Sequence, residues 1–372
     1  MTGPFPRSLA EIPTPALLLD LEALDANLRR MADRSRELGV ALRPHVKTHK
    51  CLEVAERQRE LGARGFTVST LYEARTFAEA GFTDLTWAFP LIPGRAEEAV
   101  RLAGKCRLGL TVDSREAIEA LETAGSRAGA RPLRTWLKVD SGYGRAGVDP
   151  HGDEGPRLAE AIHGSRALSL AGILSHAGHT YRGRSPEEVR AAAEEEREVM
   201  VGFADRLRGS GIPVEEVSVG STPGMARVRG LDGVSEARPG NYAFHDHTQV
   251  RLGTCPLRAC ALTVLSTVVS SRPGRERCVL DAGALALSKE AAPGDPPAYG
   301  FPFADPEAGA PDSEVAIVSV SQEHGILNRR LPVGSRVRIL PIHACLTAAC
   351  FDEYHVVRGE EVLGRWRVRR GR

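Results

Sequence analysis

A closed (β/α)8 barrel of the TIM type followed by an all-β domain is the fold this sequence predicts, and three observations point to this α/β class. From Thr14 to about Tyr242, short apolar runs alternate with amphipathic stretches rich in Ala, Glu and Arg, making close to eight repeats. After about Thr248 the texture changes to short β-branched segments separated by Gly, Pro and Asp turns. No Gly-x-Gly-x-x-Gly opens the first βα turn, which removes support for a doubly wound dinucleotide fold.

Taken in order, apolar or β-branched runs predict strands at 16–20, 42–47, 65–68, 85–89, 107–112, 135–139, 171–175 and 216–219. Helices are predicted at 21–38, 51–61, 70–80, 94–103, 114–124, 152–163 and 186–209. The first of them is marked by Leu24, Leu28 and Met31 on one face and Glu and Arg on the other. Beyond the barrel, strands are expected at 259–270, 278–281, 314–322, 336–340, 354–358 and 362–368, and 290–312 reads as a long surface or lid loop. The expected domains are therefore a barrel over 14–247 and a β domain over 248–372, with residues 1–20 left open as an added strand of the latter.

The 372 residues exceed the roughly 250–300 at which a single core stops growing. With 49 Lys+Arg against 48 Asp+Glu, the chain has no charge excess to favour a nucleic acid or an anionic membrane. No apolar run approaches the roughly 18 residues of a membrane span, and residues 1–12 have neither the basic nor the apolar region of a secretion signal. A cytoplasmic protein is expected. Seven scattered cysteines without a Cys-x-x-Cys argue against a disulfide framework or a structural zinc knuckle.

Lysine is scarce: only residues 47, 50, 105, 138 and 289. Since arginine serves elsewhere, these few positions are enriched for chemistry that needs a primary amine, such as Schiff-base formation. Lys47 stands at the end of a predicted strand in Arg43-Pro-His-Val-Lys-Thr-His-Lys50, where a barrel presents reactive groups. It reads as a Schiff-base candidate or, in the blander alternative, as a surface lysine. Val217-Ser-Val-Gly-Ser-Thr-Pro-Gly224 and Arg238-Pro-Gly-Asn-Tyr242 are turns of small residues that suit a phosphate or are plain βα loops. Two such turns and a strand-end lysine together fit pyridoxal 5′-phosphate (PLP). In Pro341-Ile-His-Ala-Cys345, residues i and i+2 of an extended segment share a side, so His343 and Cys345 can present an imidazole and a thiolate to one ion. His179 is a candidate general base. His245, His247 and His324 are read as structural or supporting groups.

The ordered set Thr14-Pro-Ala-Leu-Leu-Leu-Asp20, Arg43-Pro-His-Val-Lys-Thr-His49, His176-Ala-Gly-His-Thr-Tyr181, Ser218-Val-Gly-Ser-Thr-Pro223, Arg238-Pro-Gly-Asn-Tyr242, Asp281-Ala-Gly283, Glu323-His-Gly325 and Pro341-Ile-His-Ala-Cys345 resembles the D-serine dehydratase/D-threonine aldolase family. These are fold-type III PLP enzymes related to alanine racemase, and the resemblance runs over essentially the whole chain. It implies that Lys47 carries the cofactor and that Gly220, Ser221, Thr222, Gly240 and Tyr242 surround its phosphate. Tyr181 and Arg145 are implied near the ring, and Arg238 at the pyridine nitrogen. His-x-Cys is the dehydratase pattern in this family and His-x-Asp a pattern of aldolases. A thiolate also suits Zn better than Mn or Mg. The resemblance thus implies a PLP- and divalent-metal-dependent lyase acting on a small β-hydroxy D-amino acid, foremost a D-serine dehydratase. Alternatives are a D-threonine aldolase, a D-threo-3-hydroxyaspartate dehydratase and an amino-acid racemase. A homodimer is implied as well. A non-catalytic PLP-binding barrel is disfavoured by the β domain.

Overall fold

A computed structural model describes residues 6–129 and 131–371. The chain divides into two compact units. Of the described residues, one unit comprises those of 31–47 and 55–240 with Gly371, and the other those of 6–30, 48–54 and 241–370.

The first unit is an eight-stranded parallel barrel. In spatial order its strands are Ala41–Leu42, Glu236–Ala237, Glu216–Val219, Leu168–Leu174, Leu133–Lys138, Arg107–Val112, Asp84–Pro90 and Phe66–Val68. The ring closes where His45 bridges Thr67 in parallel, with Val46 N donating to Thr67 O and Thr67 N to Pro44 O. Helices Leu71–Glu79, Ala96–Ala103, Arg115–Ala128, Glu154–Gly164 and Pro186–Gly209 alternate with these strands. Thr70, Ser114 and Ser185 cap three of them by accepting from the backbone N–H three residues on. Apolar helix positions such as Ala99, Leu121, Leu158 and Leu207 are buried, as the amphipathic pattern requires.

The second unit holds a nine-stranded, mainly antiparallel sheet. Its longest strand, Leu262–Ser271, pairs with Ala16–Asp20, Cys278–Leu280 and Arg336–Pro341. Glu353–Arg358 runs parallel to Ala16–Asp20 and antiparallel to Glu361–Arg367.

Membership of the barrel differs from the sequence reading in one strand. Ala16–Asp20, expected as the first barrel strand, belongs to the antiparallel sheet, the option left open for residues 1–20. Leu17, Leu18 and Leu19 are all fully buried there, so the run carries no alternation to betray its partner. The missing barrel strand is Glu236–Ala237, only two residues long and headed by a carboxylate. The 290–312 segment is not a plain loop either: Gly300–Pro302 pairs with Arg336–Pro341, and Phe301 and Phe303 are buried.

Inside the barrel, the fully buried Arg43 donates from Nε to Glu236 Oε2 and from Nη1 to Asp84 Oδ1, both at 2.7 Å. Burial alone would raise the Glu236 pKa. The Arg43 charge and hydrogen bond, with Ser218 and Arg238, outweigh it and hold the carboxyl below its ordinary value. A folded-state pKa below the unfolded one means the contribution is present at neutral pH and lost as pH falls through the folded value. Arg43→Ala, which strands a buried carboxylate, is expected to cost about 3–5 kcal/mol in denaturant unfolding. Arg107→Ala, which removes a half-exposed partner of Asp84, should cost under about 1 kcal/mol. Equal losses would contradict the assignment.

Candidate active site

Seven of the eight barrel strands deliver residues to one cavity of about 400 Å³ at their C-terminal ends. His45 and Lys47 follow the first strand and Ser69 the second, while Ala88, Phe89 and Pro90 end the third. Lys138, Leu174 to His176, Gly220 and Arg238 come from the strand ends beyond, and Arg145 from the loop after Lys138. The lining holds four cations, Lys47, Lys138, Arg145 and Arg238, and no carboxylate.

Each group is held by its neighbours. The backbone N–H of Lys47 meets His45 Nδ1 at 3.3 Å. Arg238 donates from its two terminal nitrogens to Ser218 Oγ and Ser175 O, and Ser218 Oγ donates to Glu236 Oε1 at 2.6 Å. Glu196, from helix Pro186–Gly209, accepts from Ser175 Oγ at 2.6 Å and Gly220 N at 3.2 Å, tying two strand ends together. Gly220 sits at φ +118°, a conformation that side chains rarely adopt. His176 Nδ1 lies 3.4 Å from Gly220 O, and its ring meets Tyr143 edge-on. Arg145 lies 4.9 Å over that Tyr143 ring.

The crowd of cations is visible in the protonation of its members. Burial, then the charges of Lys47, Arg145, Lys138 and Arg238, push His176 well below the ordinary imidazole value, so it is neutral at pH 7. Burial, then Arg238 and Arg145, bring Lys138 down to about 8.

Among the residues singled out from the sequence, Lys47, Arg145, Gly220 and Arg238 line this cavity. Ser221 and Thr222 continue from Gly220. Ser221 Oγ accepts from Gly224 N and shares a hydrogen bond with Thr180 Oγ1 at 2.9 Å. Gly240 closes the barrel unit, and Tyr242 lies in the other unit, buried. Tyr181 stands half-buried on the 3-10 turn Gly178–Arg182 and is not among the lining residues. His179, expected as a general base, is carried by the same turn toward helix Pro186–Gly209, where Nε2 meets Ala192 O at 3.3 Å. The histidine on the cavity wall is His176, in the same motif. Lys138 was signalled by lysine scarcity but not chosen.

The second unit brings His343 and Cys345 together. The Cys345 charge acts on the His343 imidazole, and His343 Nδ1 meets Glu290 Oε2 at 2.8 Å. The geometry is not the extended i, i+2 arrangement: His343 caps the short helix Ala344–Ala348, and Cys345 lies in its first turn. Asp246 anchors this turn by accepting from Ala344 N at 2.9 Å and from Asn241 Nδ2 at 2.6 Å. Thr48 Oγ1 lies 3.2 Å from Cys345 Sγ. Burial would lower the His343 pKa, but the Cys345 charge, with Glu290 and Asp246, raises it to about 11. Among the described residues, no third His, Cys, Asp or Glu completes a ready-made metal cluster. Of the other flagged histidines, His247 stacks on Phe301, His245 is buried and His324 is exposed.

Both sites fit the groups expected of them. A primary amine in a cavity lined by cations and by no carboxylate suits an anionic aldehyde cofactor such as PLP. An imidazole and a thiol suit a borderline-soft divalent ion.

Comparison with known proteins agrees with this architecture. Residues 19–248 match the alanine racemase N-terminal domain family, and residues 261–357 match the putative serine dehydratase domain. The chain is 37% identical to the D-threo-3-hydroxyaspartate dehydratase of Delftia sp. (strain HT23), covering 96% of this chain and 98% of that protein. It is 34% identical to the D-serine dehydratase of Dictyostelium discoideum, covering 94% of each. Identity is 31% to the D-threonine aldolase of Arthrobacter sp., covering 97% of this chain and 93% of the other. A mutant of D-threo-3-hydroxyaspartate dehydratase with a cysteine replaced by alanine, solved in a metal-free form, is similar with a TM-score of 0.90 at 35% identity, covering 97% of this chain and 99% of that one.

The cavity also sets an expectation for titration. With a folded pKa near 8 against 10.5 for an ordinary lysine, Lys138 binds fewer protons folded than unfolded between those values. Its contribution to stability therefore rises with pH across that window. In 13Cε-lysine-labelled protein, five resonances are expected, and the one lost in Lys138→Met should titrate near 8. A midpoint at the ordinary lysine value would contradict the described surroundings.

Proposed function

We propose that this chain, which belongs to the D-serine dehydratase/D-threonine aldolase family of PLP-dependent lyases, dehydrates a β-hydroxy D-amino acid, with D-serine giving pyruvate and ammonia. The observation that carries the reading is the placement of His343 and Cys345 two residues apart at the start of helix Ala344–Ala348, a donor pair for a Zn-like ion. When bound, PLP supplies an electron sink at Cα and the divalent ion a Lewis acid.

Lys47 is assigned as the residue that holds the cofactor covalently, and afterwards its Nζ accepts the Cα proton. Arg145 would balance an anionic oxygen of the cofactor ring, and Gly220, Ser221, Thr222, Gly240 and Tyr242 are assigned to its phosphate. Arg238 is assigned to the ring nitrogen, where a guanidinium would disfavour protonation, weaken the sink and leave more of the work to the ion and Lys47. Neutral His176 can orient a polar group without adding charge. Tyr181 and His179, both on the turn Gly178–Arg182, are assigned beside the reacting groups. His343 and Cys345 hold the ion, and Glu290, as the partner of His343 Nδ1, sets its tautomer and orientation. A second reading, dehydration of D-threo-3-hydroxyaspartate, is favoured by the 37% identity to the Delftia enzyme.

The test uses protein reconstituted with PLP and either Zn or Mn and offered D-serine, D-threo-3-hydroxyaspartate and D-threonine. Chelator-sensitive release of 2-oxo acid with ammonia is expected. Glycine with an aldehyde would replace dehydration by aldol cleavage. Lys47→Ala should abolish turnover and the visible cofactor band. His343→Ala and Cys345→Ala should each lower kcat by at least about 100-fold, and Glu290→Gln should weaken metal binding about 10–100-fold. Full turnover in Cys345→Ala would remove the assignment of that ligand.

A further inference from the structure

The loop after strand Leu133–Lys138 carries an aromatic ring to which the proposed reaction gives no task. The neck of this loop is closed by Asp140 N donating to Val148 O at 3.0 Å and Val148 N to Lys138 O at 2.9 Å. Within it, Asp140 Oδ1 accepts from the N–H groups of Gly142, Tyr143 and Gly144 at 3.1, 2.9 and 3.0 Å, which fixes the backbone from which the Tyr143 side chain leaves. The Tyr143 ring lies against Gly178, on the turn after the next strand, Leu168–Leu174. A Cβ on residue 178 would stand 2.5 Å from ring carbons of Tyr143, so only glycine leaves room for this contact.

Three further groups surround the ring. The His176 imidazole meets it edge-on, with centroids 6.2 Å apart and planes at 88°. The Arg145 guanidinium lies 4.9 Å from the ring centroid and that of Arg182 5.4 Å. At both distances a guanidinium is attracted to the electron-rich face of an aromatic ring. His176 and Arg145 line the barrel cavity, and Tyr143 stands behind them, outside the lining.

We propose that Tyr143 is a positioning residue of the cavity: its ring, seated on Gly178, holds the Arg145 guanidinium at the wall and so sets the affinity for an anionic cofactor. The inference rests on the reading that the cavity takes PLP, and not on which substrate is dehydrated.

The lining explains why a ring serves here. Arg145 shares the wall with Lys47, Lys138 and Arg238, and the wall offers it no carboxylate. An exposed, flexible side chain beside like charges turns toward water unless something holds it. A carboxylate would hold it but would also cancel its charge, and with that the attraction for an anion. An aromatic ring attracts a cation through its quadrupole and carries no net charge, so it holds the guanidinium and leaves the positive field of the cavity intact. Arg182, on the same turn as Gly178, ties the ring to that turn from a second side.

The test titrates PLP into cofactor-free protein and reads the visible cofactor band. Tyr143→Leu, shown to fold by its melting temperature, is expected to raise Kd about 10-fold, while Tyr143→Phe, which keeps the ring, should stay within about 2-fold of the unsubstituted protein. Arg145→Met should also weaken binding, and adding Tyr143→Leu to it should change Kd by under about 2-fold, because the ring acts through that guanidinium. In cofactor-free protein labelled with 13C-arginine, the Hδ resonance lost in Arg145→Lys should lie upfield of the ordinary arginine position and return to it in Tyr143→Leu but not in Tyr143→Phe. An unmoved Kd in folded Tyr143→Leu, an equal loss in Tyr143→Phe, or losses that add with Arg145→Met would overturn the assignment. An Arg145 resonance at the ordinary position in the unsubstituted protein overturns it even where Tyr143→Leu does not fold. Absence of the cofactor band from the unsubstituted protein would remove the PLP reading and this inference together, whereas a normal band there with an unmoved Kd in Tyr143→Leu removes this inference alone.

Discussion

A single buried guanidinium braces a short seam of the barrel. Ala41–Leu42 and Glu236–Ala237 are joined by two residue pairs, extended by Arg43 N donating to Ala237 O and His45 N to Pro239 O. Arg43 spans Glu236 on one side and Asp84 on the other, and a buried charge tolerates only the register that supplies its partners. The same seam leads directly into the cavity. One strand runs on to His45 and Lys47 and the other to Arg238, so the placement of three lining residues follows from one ion pair. Net stabilisation is a poor explanation for such a pair, because desolvation offsets most of its attraction; specification of register is a better one. Gly65 belongs to this arrangement, since a Cβ there would collide with Arg43 Nη1.

The chemistry of the cavity follows from what its lining omits. Carboxylates are close by but turned to support: Glu196 grips Ser175 and Gly220, and Glu236 grips Arg43 and Ser218. Neither is among the lining residues, so the cavity wall itself carries cations and no carboxylate. The strain of that arrangement is relieved in part by a lysine and an imidazole that give up protons readily. An anion bound there would relieve the rest.

Most of the barrel was legible because its strands and helices have strong and different periodicities. Strands Arg107–Val112 and Glu216–Val219 and helix Pro186–Gly209 fall at the residues their patterns indicate. The count of eight was right while one member was wrong, for a physical reason. A fully buried run such as Leu17–Leu19 does not encode which sheet it joins, and a two-residue strand headed by Glu236 has no apolar run at all. The sequence motifs lead to the cavity wall at Lys47, Arg145, Gly220 and Arg238. His176 and His179 share a motif, but His176 lines the cavity while His179 lies within the 3-10 turn Gly178–Arg182. Glu290 was beyond reach, because its partner His343 lies 53 residues away and nothing local marks the pair.

The two units are organised on opposite electrostatic plans, and this bears on what each can hold. In the barrel the field is positive: it lowers the proton affinity of Lys138 and His176, which is the condition that favours an anionic ligand. Around His343 it is negative, because Cys345, Glu290 and Asp246 together raise the proton affinity of the imidazole against its own burial. The raised proton affinity marks surroundings that favour positive charge. If His343 and Cys345 hold a divalent ion, as proposed, it would displace the proton and meet the same thiolate, with the same carboxylate support behind the imidazole. The charges placed around each site thus favour an anion in the barrel cavity and a cation beside His343.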